Sequence, residues 1–137
     1  MKYFVDTSGW VALFDASDKY HPHAVNGFNG LLGTPVNFLT SDYIFDETIT
    51  LLLQRGGQNQ AVRFGNWMLN ADNIDLLYIH EDVWKTAWEM FQSYEDKEWA
   101  FTDCTSFVLM RQHSLHQAFT FDHHFEQAGF KLWPGMA

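Results

Sequence analysis

Met1-Lys2-Tyr3-Phe4-Val5-Asp6-Thr7-Ser8-Gly9-Trp10 opens the chain, and its reading decides the fold. Lys2 to Val5 runs β-branched and aromatic residues together without a turn former, the pattern of a short buried strand. Asp6 follows at once, then Thr7, Ser8 and Gly9, then the apolar Trp10-Val11-Ala12-Leu13-Phe14. That is strand, polar corner, helix. The hydroxyls of Thr7 and Ser8 are natural N-cap groups for the helix behind them. Open α/β sheets hold their ligands at the carboxyl ends of their strands, which is where this corner places Asp6. Asp6 is therefore read as the first of several scattered carboxylates that hold a divalent metal.

Working outward, the first helix is expected over Gly9 to Ala16. A second begins at Pro22 and ends near Gly33-Thr34-Pro35, although Gly27 and Gly30 weaken its pattern. Val36 to Thr40 reads as a strand. Ser41 or Asp42 then caps a helix through Tyr43 to Leu53, stopped by Gly56-Gly57. Gln58 to Asn70 is helical, Ile74 to Ile79 a third strand, and His80 to Tyr94 a helix with Val83, Ala87, Met90 and Phe91 along one side. After the charged loop Glu95 to Trp99, Thr102 caps a helix over Asp103 to His113. Ala118 to Phe121 is a fourth strand, Asp122 opens a short helix ending near Gly129, and Leu132-Trp133 adds an edge strand. Helices alternating with short strands predict a parallel sheet covered on both faces.

The 137 residues suit one domain spanning 1–137, and 47% apolar content with 13 Phe, 6 Trp and 5 Tyr makes the chain globular rather than disordered. No run fits a membrane span or a signal peptide, so a cytoplasmic protein is expected. The lone Cys104 excludes an internal disulfide and a multi-cysteine zinc site, and reads as a small core residue. A net charge of −9 is unusual for a partner of nucleic acid. Such a chain needs either a metal to supply positive charge or its Lys and Arg gathered on one face. It also suits a basic protein partner.

Four acids stand out by position. Asp6 and Asp122 follow strands. Glu47 lies three and four residues from Ile44 and Leu51, and Asp103 aligns with Phe107 and Met110, so both are expected on core-facing strips. Plain alternatives exist: Asp122 as an N-cap, Asp103 as a complement to the helix dipole. As a set, the four can converge over one sheet edge. Two carboxylates ~5 Å apart at an effective dielectric of ~20 repel by about 3 kcal/mol, so a cluster needs a cation. All-oxygen ligation suits Mg²⁺ or Mn²⁺, and such a site activates water for phosphodiester hydrolysis.

The seven histidines offer another route, acid–base cleavage of RNA through its 2′-hydroxyl without metal. His123 and His124 point in different directions on a helix, which speaks against a zinc site. They, like His113 and His116, are read as surface or dipole-satisfying groups. Arg55 and Arg63 are read as solvated helix ends, with substrate phosphates as the alternative contact. The tryptophans are read as core or partner surface.

Phe4-Val5-Asp6-Thr7-Ser8, Asp46-Glu47, Phe101-Thr102-Asp103-Cys104 and Thr120-Phe121-Asp122-His123-His124-Phe125, in this order, resemble a PIN domain. The nearest likeness is to the VapC-like toxins of type II toxin–antitoxin pairs. The resemblance implies a three-layer α/β/α fold around a parallel sheet of four or five strands. It also implies Mg²⁺- or Mn²⁺-dependent ribonuclease activity. By its pattern Asp6, Glu47 and Asp103 match the three core acids and Asp122 the frequent fourth. Asp6 and Asp103 match the direct metal ligands, and Ser8 a supporting hydroxyl. A homodimer and an inhibitory antitoxin partner are implied as well. Cys104 stands where alanine is common. Hydrolysis by this route leaves a 5′-phosphate and a 3′-hydroxyl. A non-catalytic PIN-like module that binds RNA or protein is the rival. An aspartyl-phosphate phosphatase does not fit, because Ser8 stands where its second aspartate would be.

Overall fold

Tyr3, Phe4 and Val5 are all buried, because their strand lies in the middle of a sheet rather than at its edge. The structure is a computed structural model and describes residues 1–135. Its strands are β1 (Lys2–Val5), β2 (Asn37–Ser41), β3 (Ile74–Leu77), β4 (Gln117–Phe119) and β5 (Lys131–Trp133). They form one sheet in the order β3-β2-β1-β4-β5, and every pairing is parallel. Parallel neighbours require crossovers, and helices supply them: α1 (Thr7–Phe14), α2 (His21–Leu31), α3 (Asp42–Gly56), α4 (Gln58–Asn70), α5 (Glu81–Ser93), α6 (Phe101–Gln112) and α7 (His124–Gln127). This is the three-layer α/β/α arrangement.

Alternation along the strands builds two cores. Tyr3 lies beside Phe38 and Val5 beside Phe119, and Phe28 of α2 packs on this face, 5.4 Å from the Phe38 ring and 6.4 Å from that of Phe119. Phe4 points the other way, toward Phe125 at 6.4 Å, which in turn meets Phe107 of α6 at 5.0 Å. Trp10 is fully enclosed and packs on Phe64 of α4. Its indole N–H donates to Thr40 Oγ1, which donates to the Val5 carbonyl. A buried indole and hydroxyl are thereby both satisfied.

The chain leaves β1 for β2 on one side and later enters β4 on the other. The strand order therefore reverses between β1 and β4. Open α/β sheets have a crevice at the carboxyl ends of two such strands, since the connections depart in opposite directions. Asp6 follows β1 and Thr120 follows β4, so both stand at this crevice.

Several boundaries differ from expectation for local reasons. The first helix starts at Thr7 and ends at Phe14, because Asp6 itself is the N-cap, its carboxylate accepting the Ser8 N–H at 3.4 Å. Thr7 and Ser8 are thus inside the helix rather than caps. Ala100, not Thr102, precedes α6, and its N–H donates to the Asp103 carboxylate at 3.0 Å. β4 ends at Phe119 because the Phe121 N–H turns away to Ser8 Oγ at 2.9 Å. α7 begins at His124, with Asp122 two residues before it.

Gly9 lets α1 approach β4. A Cβ there would strike the Phe119 carbonyl oxygen and come within 2.8 Å of its ring. Gly9→Ala should force the two elements apart and cost about 1–3 kcal/mol, read as a fall in melting temperature of roughly 5–10 °C by thermal unfolding.

Candidate active site

Three elements deliver the acids to the crevice. Asp6 comes from the N-terminus of α1, Asp103 from the first turn of α6, and Asp122 from the turn behind β4. With Ser8 and Glu47 they line one cleft of about 450 Å³, whose wall also includes Lys19, Tyr20, Arg55, Phe121 and His123.

Asp6 is the most constrained. Its Oδ2 accepts the Ser8 N–H, the Ser8 hydroxyl at 3.2 Å and the Thr120 hydroxyl at 3.1 Å. Ser8 Oγ and Thr120 Oγ1 lie 2.9 Å apart, and each takes an N–H from the turn, Ser8 from Phe121 and Thr120 from Asp122 at 3.0 Å. Two hydroxyls therefore tie the corner after β1 to the turn after β4. Asp6 is 5% exposed. Burial, then the charges of Asp103 and Asp122, push its carboxyl from an ordinary 3.8 up to about 7, against the hydrogen bonds of Thr7 and Thr120. Asp103 is also raised, chiefly by burial and further by Asp122, while the Ala100 N–H and His124 pull it down.

Glu47 is brought to the cleft by a different face from the one predicted. The buried strip of α3 is Ile44, Thr48 and Leu52, and Glu47 is exposed. Glu47, Leu51 and Arg55 form the adjacent i, i+4, i+8 strip, and that strip lines the cleft. A helix turns by 100° per residue, so a position one residue off the core strip points along the rim. Arg55 is not a plain solvated helix end. It pairs with Asp18 at 2.9 Å and Asp15 at 3.3 Å, and those partners raise its pKa further.

Two contributors escape the sequence reading. Thr120 carries a weak signal, a hydroxyl two places before Asp122. His124 carried the wrong one. Its Nδ1 lies 3.2 Å from Asp103 and 3.2 Å from Asp122, and the His123 ring centroid is only 4.5 Å away. The two rings approach one another although His124 turns into the site and His123 stays largely exposed. Donor atoms of Asp122, His123 and His124 all fall within 4.8 Å of one another. His113 and His116 are exposed. Cys104 is fully buried beside Asp103, and burial pushes its thiol up to about 11.

A carboxylate-lined crevice at the switch point of a five-stranded parallel sheet defines an acid-cluster α/β protein. The PIN domain family model matches residues 3–131, and the chain belongs to that family. It is 35% identical over 127 residues to the 23S rRNA-specific endonuclease VapC20 of Mycobacterium tuberculosis, a match covering 93% of this chain and 94% of that protein. The crystal structure of M. tuberculosis VapC20, described as a sarcin–ricin loop cleaving toxin, superposes with a TM-score of 0.86 at 34% identity, covering 93% and 95% of the two chains. VapBC2 of Rickettsia felis, solved bound to a fragment of promoter DNA, shares the fold at a TM-score of 0.72 and 12% identity, covering 96% and 97%.

A raised carboxyl pKa means that the folded state holds its proton more tightly than the unfolded chain. Stability is then greatest below pH ~4 as far as Asp6 is concerned, and is lost as the pH climbs toward 7. At about 1.4 kcal/mol per unit, Asp6 alone penalises the ionised fold by roughly 4 kcal/mol. Thermal unfolding in EDTA should show the melting temperature falling between pH 5 and pH 8. Asp6→Asn should remove most of that fall.

Proposed function

We propose that this chain is a metal-dependent endoribonuclease, the toxin of a toxin–antitoxin pair, with ribosomal RNA of the large subunit as its substrate. One observation carries the reading: Asp6, Asp103 and Asp122 share one cleft, where burial first and the neighbouring carboxylates second raise Asp6 and Asp103. The substrate follows from the likeness to VapC20, which runs nearly the whole length of both chains.

The donor set fits a hard divalent cation, Mg²⁺ or Mn²⁺. The groups are carboxylate oxygens, and a cation among them would offset both the burial and the neighbouring charges that raise Asp6. Asp6 and Asp103 would hold the ion directly. When bound, it supplies positive charge at the scissile phosphate and acidifies water. Ser8 and Thr120 fix the Asp6 carboxylate in place. Asp122 and Glu47 are the carboxylates left to take the proton of the attacking water. Attack in line on phosphorus then expels the 3′-oxygen, leaving a 5′-phosphate and a 3′-hydroxyl. Lys19 gives the cleft wall a positive charge for neighbouring phosphates, while Arg55 beside it is engaged by Asp15 and Asp18.

The same reading makes the protein a single PIN domain of the cytoplasm, acting as a homodimer restrained by a cognate antitoxin. No helix among the described residues is long and apolar enough to cross a membrane. Trp84, Trp88 and Phe91 on α5, and Leu53, Val62 and Leu69 on α3 and α4, stand 41–55% exposed, the kind of apolar surface that protein partners cover.

The test is cleavage of ribosomal RNA by the purified protein with Mg²⁺ or Mn²⁺, with EDTA, and by Asp6→Asn and Asp103→Asn variants. Each variant should lose about 10³-fold in rate, the equivalent of roughly 4 kcal/mol of charge stabilisation. The product should carry a 5′-phosphate. Cleavage that survives EDTA and leaves a cyclic phosphate would overturn the reading in favour of the histidines.

A further inference from the structure

The acids have separate anchors. Asp6 is held by the hydroxyls of Ser8 and Thr120. Asp103 receives one main-chain bond, from Ala100, and among the described residues its only side-chain partner is His124. Asp122 accepts the His124 N–H at 2.9 Å, and the same oxygen lies 3.2 Å from His124 Nδ1. One imidazole therefore touches two acids that arrive from different elements. The His124 side chain is 18% exposed, against 72% for His123, so it is enclosed by the site rather than resting on it.

The chemistry of that contact is restricted. A neutral imidazole has one N–H and one lone pair. Two carboxylate oxygens face Nδ1, and a bare lone pair there would repel both, so the hydrogen sits on Nδ1. We infer that His124 is a positioning residue: its Nδ1–H donates to Asp103 while its backbone N–H holds the Asp122 oxygen beside the same ring, which sets the spacing of the two carboxylates for the cation that the cluster holds. A partner of this kind fixes the rotamers of the ligands without itself ligating the ion. Without it, Asp103 keeps only its bond at the start of α6, and the link from Asp122 to Asp103 is lost while the apolar packing of Phe125 on Phe107 remains. The inference rests on the proposed metal-dependent function.

The experiment is calorimetric titration of Mn²⁺ into the full-length protein without RNA, for the parent and for His124→Ala, His124→Asn, His113→Ala and Asp103→Asn. Thermal unfolding confirms that each variant is folded. His124→Ala should lose Mn²⁺ affinity by about 10- to 100-fold, the usual effect of removing an outer partner of a metal ligand. The asparagine side chain offers an N–H near the Nδ1 position but is a poor metal ligand, so His124→Asn should stay within a few-fold of the parent. His113→Ala, an exposed histidine outside the cleft, should bind as the parent does. In RNA cleavage, His124→Ala should lower kcat with little change in KM, and His124→Asn should restore it.

Parent-like Mn²⁺ affinity in His124→Ala would overturn the inference. So would an asparagine variant as weak as the alanine one, since the imidazole would then be a direct ligand. Parent-like binding by Asp103→Asn would instead overturn the metal reading itself, which makes the two failures distinguishable.

Discussion

The Asp6 N–H donates to the Phe119 carbonyl at 3.2 Å, carrying the β1–β4 ladder one step past the last residue of β1. The site depends on this bond. It sets Asp6 beside Thr120, and it requires α1 to start so close to β4 that only glycine fits at position 9. From that junction the hydroxyls of Ser8 and Thr120 reach the same carboxylate oxygen, and the turn bearing Asp122 and His124 folds back over α6. Asp6 is thus placed by strand pairing, and the turn that carries Asp122 is tied to it through Ser8 and Thr120.

That placement works against electrostatics. A carboxylate that is buried and faced by two others favours its protonated form, as the raised Asp6 shows. The fold tolerates the strain because apolar packing surrounds it. Trp10 beneath α1, Phe107 beneath α6 and Phe125 beneath the last turn are each fully enclosed. Each therefore contributes on the order of 2 kcal/mol by burial, enough for the core to outweigh one unfavourable acid. A protein selected for stability alone would have no use for the cluster, and this tension is the physical sign of a functional site.

Much of this was legible in the sequence where the signal is local. The strand before Asp6, the four acids and the alternation of helices with strands all lie within a few residues of their cause. What the sequence hid was relational. Glu47 fits a three-and-four pattern with Ile44 and Leu51, yet the neighbouring strip through Thr48 and Leu52 is the buried one, and only packing of α3 on the sheet decides between them. His124 reads as a surface group until β4 is known to lie beside β1, which brings its ring to Asp103. Arg55 looks solvated because Asp15 and Asp18 lie some forty residues away along the chain. Ser41 caps α3 as expected. The cap of α1 differs for a simpler reason: Asp6 both caps that helix and belongs to the site, so the hydroxyls of Ser8 and Thr120 are free to support it.

The pairing of Arg55 with Asp15 and Asp18 also bears on selectivity. The arginine in the cleft wall is already neutralised by its own chain, and the protein carries a net charge of −9. Bulk RNA is therefore repelled at a distance, and a passing phosphate gains little by counterion release, since it must first displace a carboxylate. Under the proposed function this turns weak attraction into a filter. Most transcripts never dwell at the cleft, and only an RNA whose shape brings its backbone past Asp18 and down to the acids stays long enough to react. Discrimination would begin with exclusion, before any base is read.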